Sequence, residues 1–143
     1  PGVARLVDQA VDAGLRLAVC STSALESVRG CVALLGEKRA ARFDTILAGD
    51  VVLRKKPDPA IYELAAMRLG VDPCDCFVIE DSAIGCAAAV AARMNCVVTT
   101  SAYTTEEAFP GAIRVLSSLG EGEGAIHLED IIGFAEQGEG VRS

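Results

Sequence analysis

Three polar groups far apart in the chain stand where apolar runs end. Ser21 follows residues 16–20, Lys56 lies in the Arg54-Lys55-Lys56-Pro57-Asp58-Pro59 loop, and Glu80 and Asp81 follow the run Cys76-Phe77-Val78-Ile79. A buried strand has to stop before charge, because an unpaired carboxylate in a core costs several kcal/mol or loses its ionisation. Glu80 and Asp81 are therefore expected at a strand's carboxyl end, the edge at which open α/β sheets bind ligands. Two adjacent acids repel unless a cation neutralises them, and a hard divalent ion with oxygen ligands, such as magnesium, is the simplest partner. The plain alternative is a pair of carboxylates that supports the N-terminus of the next helix.

Ser21, Thr22 and Ser23 form a run of hydroxyls. Ser23 and Glu26 have capping-box spacing, which accounts for Ser23 but leaves Ser21 without a capping duty. The Ser21 hydroxyl, with Thr22 and the amides of the next turn, could then bind an oxyanion. Pro57 disfavours helix at Lys56, and Asp58 with Pro59 suits the start of a helix, so Lys56 is held on a rigid loop rather than left as an ordinary surface lysine.

The elements needed to place these groups alternate along the chain. Helical spacing of Val3, Leu6, Val7, Ala10 and Val11, closed by Gly14, predicts a first helix. A strand over 16–20, a helix over 24–35, a strand over 43–48 and a helix over 59–69 follow. Then come the acidic strand, an alanine-rich helix over 83–93 and a strand over 96–99. Thr104 and Glu107 again have capping-box spacing before a short helical segment, and residues 113–116 read as an edge strand. This alternation implies parallel strands with right-handed crossovers.

A chain of 143 residues is one domain by size, and a hydrophobic fraction of 51% with only 4% aromatics fits Ala/Val/Leu-packed helices on a parallel sheet. The net charge of −7 and the lack of a long basic run argue against nucleic acid and anionic membrane as partners. No apolar run is long enough to span a bilayer, and no signal peptide is visible. The six cysteines show no paired C-x-x-C spacing and read as small buried hydrophobes in a reducing, soluble intracellular setting.

The order Ser21, Lys56, Glu80-Asp81, each at a strand's end, resembles the haloacid dehalogenase-like (HAD) hydrolase superfamily. The stretches Pro1-Gly2-Val3, Ala48-Gly49-Asp50, Lys55-Lys56-Pro57 and residues 101–109 resemble its β-phosphoglucomutase-like branch and the CbbY-type sugar phosphatases within it. The resemblance implies a Rossmann-like α/β core with a parallel sheet and helices on both faces. Ser21 and Thr22 would bind the phosphoryl group, Lys56 would neutralise it, Asp81 and Glu80 would hold Mg2+, and Ser82 would support them from behind. The substrate would be a small sugar (bis)phosphate such as xylulose bisphosphate, and the setting cytoplasm or plastid stroma. Residues 1–119 would form a partial core, and 120–143 an acidic Gly-rich linker, a last helix and a tail. Arg93 stands where such chains usually have glycine, which moves the expected helix exit to Met94 or Asn95.

Nothing in the chain matches the family's opening D-x-D-G-T strand, which carries the aspartate nucleophile, or the cap inserted after it. Asp8 and Asp12 lie in a helical pattern, Asp44 begins a strand and Asp50 follows a turn. By resemblance the absent strand belongs between the one ending at Cys20 and the one ending at Glu80. The flanking strands are then expected to close up and pair, or another chain, through self-association or an N-terminal fragment, to fill the slot. This chain alone should be inactive, because it cannot form an aspartyl-phosphate. Two other readings remain: a phosphomutase of the same branch, and a non-enzymatic receiver-like or binding fragment. In receivers, however, the acidic pair precedes the lysine.

Overall fold

The computed structural model describes residues 1–139. Helix α1 (Val3–Asp12) leads into strand β1 (Ala18–Cys20), helices α2 (Leu25–Ala33) and α3 (Glu37–Ala40), strand β2 (Thr45–Leu47) and helix α4 (Ala60–Leu69). A single 3-10 turn at Pro73–Asp75 precedes strand β3 (Phe77–Glu80), helix α5 (Ala83–Ala91), strands β4 (Asn95–Thr99) and β5 (Arg114–Leu116), and helix α6 (Leu128–Glu139). Every strand pairing is parallel, as alternating strands and helices require.

The strands form two separate sheets, β1-β2 and β3-β4-β5. Strands β1 and β3 do not close up and pair, and this corrects the first of the two expected outcomes. The reason lies in the helical layer. Ile61, Tyr62, Ala65 and Ala66 of α4 and Cys86, Ala88 and Ala89 of α5 share one core cluster with Leu47 of β2, Val78 of β3 and Cys96 and Val98 of β4. One continuous core thus spans both sheets and sets their separation. Alanine at 88 and 89, fully buried, lets α5 lie close to the strands. On the opposite face Val28 and Val32 of α2 pack against Val19 and Ile46, the alternate residues of β1 and β2.

Several elements differ from their sequence reading. The Ser23–Glu26 capping box does not form: α2 starts after Ala24 without a side-chain cap, and the Ser23 amide instead donates to Ser21 Oγ. Residues 101–107 make turns rather than a helix, because Thr104 Oγ1 accepts from the Ser101 amide and Thr105 Oγ1 donates to the Ser101 carbonyl. Helix α4 starts one residue later than expected, with Pro59 rather than Asp58 at the cap position, and Asp58 Oδ1 accepts from Ala60 N at 3.0 Å. Arg93 itself takes the left-handed exit of α5, with φ 64°.

The glycine-rich run at 120–124 is clasped to the body. Ile126 N donates to Leu119 O at 2.8 Å, and Arg5 Nη2 donates to the carbonyls of Leu119, Gly120 and Ile126. Gln9 of α1 then holds the start of α6 through His127 Nδ1 and Leu128 N. Among the described residues no helix is long and apolar enough to cross a membrane.

Candidate active site

Ser21, Lys56, Glu80 and Asp81 come together at the carboxyl edges of β1 and β3. The Ser21 amide donates to Leu47 O of β2, so the Cys20 carbonyl, one step back along an alternating strand, faces the opposite edge, toward β3. Lys56 crosses that interval. Its Nζ donates to Cys20 O at 3.2 Å and pairs with Glu80 Oε1, which lies at the end of β3. The side chains of Lys56 and Glu80 are only 10% and 8% exposed, so the pair is desolvated and depends on being satisfied from several sides.

Two residues not singled out from the sequence complete that satisfaction. Tyr62, in the first turn of α4, donates its buried hydroxyl to the same Glu80 Oε1, and its ring centroid lies 5.0 Å from Lys56 Nζ. Burial raises the Tyr62 phenol far above its ordinary range, and the neighbouring Glu80 charge adds to this. Gly85 makes room for the carboxylate: a Cβ at this position would lie 2.1 Å from Glu80 Oε2. A tyrosine hydroxyl on the buried face of the helix after Lys56-Pro57 was the available signal for the first. For the second it was a glycine in the first turn of the helix after the acidic pair.

The acidic pair therefore splits. Glu80 turns inward to Lys56 and Tyr62, with Oε2 3.3 Å from the Asp81 amide, whereas Asp81 is exposed. Ser82 stands behind them as the cap of α5, its Oγ accepting from Gly85 N at 3.2 Å, and Glu107 reaches back to accept from Ala83 N at 2.8 Å. Ser21 is half-buried, and its Oγ accepts from Ser23 N at 3.1 Å, so the hydroxyl has a turn duty that the sequence reading did not give it. Thr22 is exposed. Burial beside this cluster pushes the Cys20 thiol up to about 11, which keeps it neutral and unreactive.

Among the described residues no three His, Cys, Asp or Glu side chains stand together as a metal cage. The donor set fits magnesium in a narrower sense. Mg2+ is commonly held by one or two carboxylates with water and substrate phosphate supplying other oxygens, and Asp81 is one such outward carboxylate.

Comparison with known proteins decides the family. The family model of haloacid dehalogenase-like hydrolases matches residues 1–93. The chain belongs to that family. Its relatives place it in the CbbY-type branch. It is 57% identical over 122 residues to a CBBY-like protein of Arabidopsis thaliana, covering 85% of this chain and 38% of the relative. To Protein CbbY of Cereibacter sphaeroides it is 44% identical, over 85% of this chain and 53% of the relative. The crystal structure of CbbY from Rhodobacter sphaeroides in complex with phosphate superposes with a TM-score of 0.83 at 40% identity, over 92% of this chain and 58% of that one. A variant of the same protein has been solved with xylulose-(1,5)bisphosphate, also with a TM-score of 0.83. The chain thus spans roughly 40–60% of the length of these relatives.

Proposed function

We propose that this chain is the carboxyl-terminal core portion of a magnesium-dependent CbbY-type phosphatase that hydrolyses a small sugar (bis)phosphate, with xylulose bisphosphate the first candidate. The observation that carries the reading is the placement of Lys56, an ammonium held at the rim between Ser21 and Asp81 by Cys20 O and Glu80. Phosphoryl transfer chiefly requires charge neutralisation and alignment. In this reading Lys56 binds and neutralises a phosphoryl oxygen, and Ser21 with the amides of the Thr22 turn orients it. Asp81, with Ser82 fixing the backbone behind it, would hold magnesium, which when bound offsets further phosphate charge. Glu80 acts on Lys56 rather than on the metal, because its oxygens already face Lys56, Tyr62 and the Asp81 amide.

No aspartate of this chain is offered as the nucleophile. Asp8 is paired with Arg39, Asp44 accepts from Leu17 N, and Asp50 is paired with Lys55. The reading assigns that group to a strand supplied from outside these residues and seated between β1 and β3. The edge of β1 that carries Cys20 O faces this interval, and Phe77 and Ile79 of β3 remain 36% and 40% exposed, as strand residues short of a covering neighbour would be.

The test is phosphate release from xylulose bisphosphate and other sugar phosphates with Mg2+. This chain alone should give none above background. A longer form that carries an aspartate-bearing strand ahead of residue 1 should give turnover abolished by Lys56→Met or Asp81→Asn. Robust turnover by the chain alone would overturn the assignment of the nucleophile to another segment.

A further inference from the structure

Tyr62 takes no part in the reaction as proposed, yet it is bonded to the group that holds Lys56. Helix α4 places it with 5% exposure, its hydroxyl donating to Glu80 Oε1 and its ring 5.0 Å from Lys56 Nζ. The same carboxylate oxygen accepts from Lys56, so one atom is held from two elements at once. On its other side the carboxylate lies against Gly85, where even a methyl group would not fit. Glu80 therefore has one place to be, and the phenol helps to fix it there. An ammonium has three N–H donors. Among the described residues two acceptors, Cys20 O and Glu80 Oε1, face that of Lys56, which leaves one donor for a ligand.

We infer that Tyr62 is a positioning residue for phosphoryl-group binding: by holding Glu80 Oε1 in place it fixes the Lys56 ammonium at the rim, so that the site needs a phenol at this position and not merely an aromatic ring. This rests on the reading in which Lys56 meets the phosphoryl group. The competing explanation is packing alone, since Tyr62 also belongs to the shared core. The two separate in Tyr62→Phe, which keeps the ring, its volume and its contact with Lys56 and removes only the donor.

The experiment titrates inorganic phosphate, in the presence of Mg2+, against this chain and its Tyr62→Phe, Lys56→Met and Glu63→Gln variants by calorimetry. In parallel the Lys56 ammonium is followed by 15N NMR of lysine-labelled protein. Glu63 is the exposed neighbour of Tyr62 on α4 and serves as the control. Tyr62→Phe should weaken phosphate binding about tenfold, the size expected for a hydrogen bond to a charged group, and should broaden or shift the ammonium signal. Glu63→Gln should change neither. A Tyr62→Phe protein that melts earlier but, while folded, binds phosphate and shows the ammonium signal as the parent does would reduce Tyr62 to packing and overturn the inference. If the parent chain and Lys56→Met bind phosphate equally, or neither binds, the phosphate role of Lys56 falls and the assignment of Tyr62 falls with it.

Discussion

The two flanks of the candidate site are built differently. On one side Lys56, Glu80 and Tyr62 are buried, mutually bonded and walled by Gly85. On the other, Ser21 is half-buried with its oxygen turned to a local amide, and Thr22 and Asp81 are exposed. Buried charges must find partners within the protein because water cannot supply them, so the first flank is fixed before any ligand arrives. Exposed groups keep their water and can exchange it for a ligand. The contrast predicts that changes on the inner flank are felt in stability as well as in binding, and changes on the outer flank in binding alone.

The largest effect expected is from Lys56→Met, which leaves the Glu80 carboxylate buried without its cation. Breaking a buried pair from one side costs about 3–5 kcal/mol, readable as a lower urea midpoint. Adding Glu80→Gln should return part of that loss, and a double variant no better than the single would show that the pair is not the source. Gly85→Ala comes next. Its new Cβ would meet Glu80 Oε2 at 2.1 Å, and the forced displacement of a buried carboxylate should cost about 2–3 kcal/mol. An unchanged midpoint would mean that Glu80 has a second acceptable position and that the inner flank is not fixed.

Smaller effects sharpen the boundary between the flanks. Ser82→Ala removes the cap of α5 and should cost about 1 kcal/mol. Ser21→Ala and Asp81→Asn, on the outer flank, should each change stability by no more than about 0.5 kcal/mol while weakening phosphate and Mg2+ binding respectively. A large stability loss in either would place it with the buried cluster. Thiol labelling tests the burial of the inner flank without mutation. At neutral pH the exposed Cys31 and Cys74 should be alkylated well before Cys20, whose thiol is pushed up to about 11 by burial and so holds almost no thiolate. Raising the pH toward 11 should narrow that difference.

Much of this arrangement was legible in the sequence because it follows short-range rules. The ends of β1 and β3 could be placed from where apolar runs stop at Ser21 and Glu80, and α4 from the Pro57–Pro59 turn before it. Local rules failed where two of them competed. Ser23 was free to cap α2, but the Ser21 hydroxyl took its amide first. Thr104 was drawn into a turn with Ser101, and Glu107 reached across to α5 instead of closing its own helix. Tyr62 escaped notice because its importance comes from a carboxylate on another element, which no rule local to α4 can register.

By itself the sequence determined the residue types at each strand end, the parallel α/β order and the family to which they belong, because apolar period, proline and glycine act over a few neighbours. Only the tertiary structure decided that Glu80 faces Lys56 and Tyr62 while Asp81 faces outward, and that β1 and β3 stay apart. Those outcomes depend on how α4 and α5 pack across both sheets at once, and on a carboxylate that must be satisfied wherever that packing has buried it.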